Sequence, residues 1–430
     1  LQVGDEVESA VSVERRDPVT PGQFDPEFGV GTEALKGRVR YSLSWPDGKV
    51  VRWRPNHPDV QPVESRANGR TELVYDVTGL AARPLPQGAP VRFLFARGLE
   101  VSTYADWSAV AAVLHPRYVE AARLAPNSAV RAEAARIAAQ TRDPVRRAEL
   151  ALELVQEQVR YVYIGMNLGG YRPASADETW TRRFGDCKGK TALLLALLRE
   201  LGVQAEAAFV STEFGDGLDE RLPRLSAFDH VLVRAVIGGK TYWLDGTRVG
   251  DRRLATLDVP AFHWALPVRA SGSRLERLVP VAPDLPYAES LFMADLSAGE
   301  EEPGQAYMET TYRGDTAVSV GRSLQSSRPE VAERAVRTAG ENILPGFKAE
   351  RGSWSFDPIR REIVLSIEGT YEAEWESGRG SRWIWAPNTF LAYPERRRPR
   401  EQDQNAPYAL EHPSYIRFVT AIRMPGEGVL

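Results

Sequence analysis

Three residues in the middle of the chain have the types and the chain order of a thiol catalytic triad: Cys187, His230 and Asp245. A cysteine is a strong nucleophile as the thiolate, a histidine can take the thiol proton, and a carboxylate can hold the imidazole in one tautomer. Such a set attacks carbonyl carbons and forms an acyl-enzyme. We therefore predict Cys187 as nucleophile, His230 as its base and Asp245 as the residue that orients the histidine.

The residues around the cysteine predict a helix that begins there. The turn 184–188 leads into the Ala- and Leu-rich run 192–201, and Gly202 supplies a stop signal. Asp186 is the predicted cap of this helix. Cys187 then lies in the first turn, where unpaired N–H groups and the positive end of the dipole favour a thiolate and can bind an oxyanion.

A two-residue hairpin brings the other two residues together. Gly238 and Gly239 separate two β-forming runs, and a Gly-Gly pair in that position predicts a tight turn. When the residues that flank this turn pair, Leu232 faces Asp245. Because side chains alternate along a strand, Asp245 then shares a face with His230. The register predicts a hydrogen bond between imidazole and carboxylate.

Composition and charge exclude several other kinds of site. The single cysteine among 430 residues excludes an intrachain disulfide and a cysteine-rich zinc site, and no pair of histidines has metal-ligand spacing, so we expect no metal and no cofactor. The formal net charge of −4 gives no field that would attract nucleic acid. The basic run 396–400 is predicted to be a solvated loop. With no stretch of 18 apolar residues, we expect no membrane span.

The outer thirds of the chain carry β patterning. Residues 1–102 predict an antiparallel β-sandwich, truncated at its start, in which a Pro-Asp-Gly turn at 45–49 joins strands at 39–44 and 50–53, with a further strand at 91–95. Residues 285–430 predict a second β-rich domain. Its predicted elements are one helix, 329–343, and strands at 287–296, 306–313 and 361–374.

The middle third, residues 103–278, predicts the catalytic core. Helix-forming residues fill 106–158, and a strand-like aromatic stretch follows at 159–164. The polar segment 211–220 precedes the His230 strand and is predicted to be a mobile border of the cleft. The fold class is therefore α+β, with a core flanked by two β-rich domains.

At these residues the chain resembles the bacterial transglutaminase-like superfamily, in particular members whose papain-like core follows a β-sandwich domain of unknown function. The resemblance covers about 120 residues around the predicted triad. Its strand end departs from the usual pattern at Gly246, where proline is common. The matching pieces are Gly185-Asp186-Cys187-Lys188, Leu201-Gly202-Val203-Gln204-Ala205, Asp229-His230-Val231 and Trp243-Leu244-Asp245-Gly246-Thr247.

The resemblance implies a thiol that forms an acyl-enzyme, with the two β-rich domains as accessories. It also implies that a segment before the helix runs along the cleft, where Tyr161, Tyr163 or Asn167 can supply a second oxyanion donor; we select Tyr163. Many relatives act outside the cytoplasm. We therefore expect a periplasmic or extracellular bacterial protein whose signal peptide is not visible in this sequence.

Three functions remain open from the sequence. If water accepts the acyl group of a peptide or protein substrate, the protein is a cysteine peptidase or amidase. Release of the same acyl group to an amine makes it a protein-glutamine crosslinking enzyme. In the third case it is a non-catalytic cell-envelope binding module whose core is a relic. Retention of all three triad residues favours an enzyme.

Overall fold

The structure is a computed structural model with a mixed α+β fold, as predicted. In the part of the chain that it describes, seven α-helices and twenty β-strands form three successive units, called here the N-terminal, central and C-terminal units. None of the described helices is both long and apolar enough to cross a membrane. The described residues are 2, 4, 7–14, 16–166, 170–378, 381–384 and 396–426.

Two small antiparallel sheets make up the N-terminal unit. Its strands are β1 (Glu27–Gly31), β2 (Leu35–Pro46), β3 (Arg52–Pro55), β4 (Val63–Ala67), β5 (Arg70–Leu80) and β6 (Arg97–Ser102). The sheet orders are β1-β6-β3 and β2-β5-β4. Leu43, Tyr75 and Val101 belong to one apolar cluster that contains side chains from both sheets, so the sheets pack face to face.

The turn at 45–49 does not close a hairpin between its flanking strands. β2 pairs with β5 as far as Pro46, and the backbone N–H of Asp47 donates to the carbonyl of Gly69 at 3.0 Å. β3 instead pairs with β6 in the other sheet. The turn therefore carries the chain from one sheet to the other. Residues 91–93 form a 3₁₀ turn rather than the predicted strand.

The central unit packs helices on a five-stranded antiparallel sheet of order β11-β10-β9-β12-β13. α5 lies against β9 and β10, and all but three of its fourteen residues are buried. Its elements are α1 (Trp107–Ala121), α2 (Ala129–Gln140), α3 (Pro144–Gln158), β7 (Arg160–Tyr161), α4 (Ala176–Arg182), β8 (Phe184–Gly185), α5 (Cys187–Glu200), β9 (Gln204–Val210), β10 (His230–Ile237), β11 (Lys240–Leu244), β12 (Trp264–Pro267) and β13 (Glu276–Arg277).

Each of the five α-helices of the central unit begins at a side-chain cap. The cap accepts a hydrogen bond from a backbone N–H of the first turn, which satisfies a donor that the helix itself leaves unpaired. The five caps are Asp106, Ser128, Asp143, Ser175 and Asp186. The predicted start of α5 is therefore confirmed.

The C-terminal unit is a sheet of order β16-β17-β15-β14-β20 with two helices on it. Its elements are β14 (Ala288–Asp295), β15 (Gly304–Arg313), α6 (Asp315–Ser326), α7 (Pro329–Ile343), β16 (Phe347–Asp357), β17 (Glu362–Tyr371), β18 (Trp375–Gly378), β19 (Ser381–Ile384) and β20 (Ile416–Arg423). The predicted helix at 329–343 is confirmed. Neither α6 nor β16 was expected from the sequence.

The basic run near the end of the chain is only partly solvated. Arg396 is exposed, but Arg398 is buried and donates to the carbonyls of Gln87 at 2.8 Å and Pro407 at 2.7 Å. Its guanidinium also lies over the Tyr408 ring. The prediction of a solvated loop is therefore wrong for Arg398, which fixes a C-terminal segment against the N-terminal unit.

Candidate active site

Cys187 is the first residue of α5 and is almost completely buried, with 3% of its surface exposed. The Asp186 carboxylate caps the helix by accepting from the N–H of Gly189 at 2.9 Å. Lys188 forms an ion pair with Asp186 at 2.5 Å and donates to the carbonyl of Ile164 at 3.1 Å. The thiol thus lies at a helix N-terminus that is held in place by the hydrogen bonds of Asp186 and Lys188, the residues on either side of it.

Two glycines near the thiol permit the close approach of α4. A Cβ atom on Gly185 would lie 2.9 Å from Cγ2 of Thr179, and one on Gly189 would lie 2.8 Å from Oγ1 of the same threonine. Both distances are shorter than normal contacts. Glycine at these two positions therefore lets α4 brace the first turn of α5 directly.

The hairpin has the predicted register. β10 and β11 pair from Ile237 opposite Lys240 onward, and both Gly238 and Gly239 have positive φ angles, 58° and 81°. Nε2 of His230 then lies 2.8 Å from Oδ2 of Asp245. The turn at the two glycines and the hydrogen bond between imidazole and carboxylate are confirmed as geometric predictions.

Thr247 holds the Asp245 carboxylate in place, a role that the sequence did not predict. Oδ1 of Asp245 accepts from the backbone N–H of Thr247 at 2.8 Å and from its hydroxyl at 2.7 Å. Burial alone would raise the pKa of Asp245, but His230 and these bonds hold that pKa below its ordinary value. The carboxylate is therefore ionised and aimed at the histidine.

The Cys187 thiol lies close enough to His230 for its charge to act on the imidazole, whose Nε2 lies 2.8 Å from Oδ2 of Asp245. Burial disfavours the imidazolium, but hydrogen bonds to Asp245 and Cys187, and the charges of both, raise the pKa of His230 to about 10. The Phe262 ring packs edge-on against the imidazole, with 6.0 Å between ring centroids. This environment favours the imidazolium form of His230.

A buried lysine lies beneath the site. Lys190, one turn along α5 from the thiol, is only 1% exposed and donates to the carbonyl of Val159. Burial lowers its pKa to about 8, while the charges of Asp245 and Glu157 act in the opposite direction. Near neutral pH the ammonium therefore adds positive charge close to the Asp245 carboxylate. No pattern in the sequence pointed to this residue.

The three candidates for a second oxyanion donor are placed differently. Tyr163 is 73% exposed, and Asn167 lies outside the described residues. Burial, followed by the charges of Cys187 and Asp245, raises the pKa of Tyr161 to about 12. Tyr161 therefore lies near enough to Cys187 to be a further candidate, and the choice of Tyr163 stays a prediction.

The segment 211–220 is docked against the N-terminal unit. Asp216 is buried and accepts from the backbone N–H of Arg92 at 3.1 Å and from its Nε at 2.9 Å. Phe214 packs on Phe95, with 6.1 Å between ring centroids. These contacts argue against a freely moving border. The predicted mobility itself stays a prediction.

The arrangement contains the groups that a thiol-dependent acyl transfer uses. Within the described ranges, no three His, Cys, Asp or Glu side chains are grouped so that they could hold a metal ion. A buried thiol, an imidazolium and a helix N-terminus are the groups that can serve as nucleophile, proton donor and oxyanion site. The site therefore suits attack on a neutral carbonyl.

Comparison with known proteins supports the fold and one outer unit. Residues 1–84 match the family described as "Domain of Unknown Function with solved-structure structure (DUF3857)", in agreement with the expected domain of unknown function. A crystal structure of a "putative protease" from Parabacteroides distasonis aligns with 82% of this chain and 70% of its own, at 15% identity and a TM-score of 0.51. At that identity the likeness establishes a shared fold.

A second crystal structure, of a "putative cysteine protease" from Cytophaga hutchinsonii, aligns with 61% of this chain and 90% of its own at 16% identity. Its TM-score of 0.24 is too low to support an inference. No curated protein matches the sequence.

Proposed function

We propose that the protein is a cysteine peptidase or amidase that cleaves a peptide-like amide through a Cys187 acyl-enzyme. The observation that carries this proposal is the convergence of three buried groups. The thiol at the start of α5 interacts with His230, whose Nε2 lies 2.8 Å from the Asp245 carboxylate. The "putative protease" that shares the fold is consistent with this class of reaction.

In the proposed reaction, Sγ of Cys187 attacks the carbonyl carbon and the carbonyl oxygen takes the negative charge. The backbone N–H groups of the first turn of α5 stabilise that oxyanion. The C–N bond then breaks, and the amine leaves with the proton of the His230 imidazolium. Water attacks the thioester, His230 takes a proton from it, and the sulfur leaves as the thiolate beside the imidazolium.

An amine in place of water would make the same intermediate a crosslinking reaction. The two outcomes differ in the acceptor that reaches the thioester, so one assay separates them. Incubation of the protein with a protein substrate and a fluorescent primary amine should yield new peptide ends if the thiol attacks a backbone amide and water is the acceptor. Fluorescence incorporated at glutamine would favour amine transfer.

Exposed aromatic side chains beside the thiol suit a peptide substrate. β7 pairs with β8, which immediately precedes α5, and Tyr161, Tyr163 and Phe184 of this region are all partly exposed. Such a surface favours peptides with apolar side chains near the attacked bond.

We propose further that the protein acts in the periplasm or outside the cell, and cell fractionation tests this placement.

Selective labelling of the single cysteine tests the proposed nucleophile. The raised pKa of His230 keeps the ring protonated from its ordinary value of 6.5 up to about 10, and we propose that this imidazolium and the N-terminus of α5 together stabilise a Cys187 thiolate at neutral pH. Iodoacetamide labelling followed by mass spectrometry should therefore be nearly as fast at pH 6 as at pH 8. An ordinary cysteine would slow by roughly two orders of magnitude over that interval.

His230→Gln is the matched control, because it should return the labelling to the pH dependence of an ordinary thiol. The urea-denatured protein should be labelled once per chain under all these conditions. Since Cys187 is nearly buried, a smaller thiosulfonate reagent provides a second probe. A native protein that resists both reagents, or that labels like a free thiol, would leave Cys187 as a structural residue.

Tyr161→Phe tests the second oxyanion donor. With its pKa raised to about 12, the Tyr161 hydroxyl stays protonated and can donate throughout the neutral range. Its loss should lower kcat about 10²-fold with little change in KM, as expected for a contact made in the transition state. Tyr163→Phe, at the more exposed position, should keep normal kinetics. The reverse pattern would identify Tyr163 as the donor.

A further inference from the structure

The C-terminal unit inserts a fully buried arginine into the central unit. Arg361 precedes β17 and is 1% exposed. Its Nη1 donates to the carbonyl of Thr256, in the central unit, at 2.7 Å. A buried guanidinium requires compensation by nearby acceptors or negative charge. Arg361 therefore makes a specific polar contact between the two units.

Two carboxylates and a second arginine complete this contact. Arg361 pairs with Asp315, at the start of α6, and lies 3.7 Å from the buried Asp251 of the central unit. Arg248 bridges the same two carboxylates, at 3.1 Å to Asp251 and 2.9 Å to Asp315. Asp258 lies 4.0 Å from Arg361. The negative charge of Asp251 is thus balanced in part by the C-terminal unit.

Asp251 is connected to the triad through one buried amide. Nε2 of Gln156 donates to Oδ2 of Asp251 at 2.8 Å and to the backbone carbonyl of Asp245 at 2.9 Å. Oε1 of Gln156 accepts from the N–H of Asp251 at 3.1 Å. These three bonds fix the orientation of the amide. The strand end that carries Asp245 is thereby tied to the residue that Arg361 faces.

We propose that Arg361 is a positioning residue for Asp245 and acts on it through two buried side chains of the central unit. Without Arg361, the buried charge of Asp251 loses a compensating cation, and its carboxylate reorients or takes up water. Gln156 then loses the acceptor that fixes its amide. Because Asp245 must meet His230 at hydrogen-bond distance, a small displacement of its strand end weakens the dyad.

This inference depends on the proposed thiol chemistry, and one experiment separates the two. The measured quantity is the pH dependence of Cys187 labelling in the whole 430-residue chain. Arg361→Met should lower the labelling rate at pH 6 on the order of fivefold and shift the profile towards that of His230→Gln. A purely structural role would lower the melting temperature without moving the profile.

Arg322→Met is the matched control. Arg322, on α6, crosses the same interface to Glu157 at 3.1 Å, but Glu157 makes no bond to Asp251 or Gln156 among those described. This variant should keep the wild-type profile. If Arg361→Met fails to fold, Asp315→Asn weakens the same contact from a partly exposed position and should shift the profile in the same direction.

A double-mutant cycle tests the route. If Arg361 acts through Gln156, then Arg361→Met should add little to the labelling defect of Gln156→Leu. Additive effects would overturn the proposed route, and an unchanged profile in both Arg361→Met and Asp315→Asn would overturn the inference as a whole. A wild-type protein that labels like a free thiol would instead overturn the proposed function, so the two failures are distinct.

Discussion

Cys187→Ala and His230→Ala should each abolish turnover while the protein stays folded. The thiol supplies the bond-forming atom, and the imidazole both ionises it and returns a proton to the leaving amine, so neither residue acts without the other. We expect kcat to fall by at least about 10⁴-fold in each variant. The double variant should be no worse than either single one. Release of new amino groups from a peptide library measures turnover.

The fold is monitored in parallel with turnover. Cys187→Ala removes one small buried sulfur from an otherwise apolar cluster, so its melting temperature should stay close to that of the wild type. Wild-type activity in Cys187→Ala would refute the mechanism. Loss of activity together with loss of the folded state would require the milder Cys187→Ser, which keeps the shape of the side chain.

Asp245→Asn should be the next most damaging change. Sequence alone predicts partial activity, because an asparagine can still orient an imidazole. The two bonds from Thr247 alter that expectation, since Oδ1 of Asp245 already accepts from two donors. If the amide oxygen faces Thr247, the NH₂ group meets the N–H of the imidazolium. If it faces His230, the NH₂ group meets the backbone N–H of Thr247.

Either orientation leaves two buried donors facing each other, and the first also favours the wrong tautomer of His230. We expect kcat to fall by about 10²- to 10⁴-fold, the range that a positioned base contributes. Thr247→Val is the control: it removes one bond to a carboxylate that keeps its charge, so its loss should be under about tenfold. Retention of more than a tenth of the activity in Asp245→Asn would contradict this account.

The features that the sequence predicted well depend on neighbouring residues. The hairpin that pairs His230 with Asp245 needs only a two-glycine turn and the alternation of side chains. The helix at 329–343 needs only its apolar face. Both signals lie within a single short stretch. In these cases local geometry determined which side chains would meet.

The features that the sequence did not predict depend on distant residues. The turn at 45–49 has the composition of a hairpin, yet β2 finds its partner in β5 and β3 finds its partner in β6. The link from Arg361 to Gln156 joins residues of two units, and an arginine or glutamine in isolation carries no sign of burial. Tertiary pairing overrides local pattern in such cases.

A segment near the C-terminus contacts the N-terminal unit, so each of the three units contacts the other two. Arg398 donates to Gln87, and the N–H of Ala409 donates to the carbonyl of Gly88 at 2.7 Å. If the proline-containing connection at 279–286 were cut, the C-terminal unit would therefore still be held by non-covalent contacts with both other units. Insertions at that connection should be tolerated in evolution better than insertions into either contact.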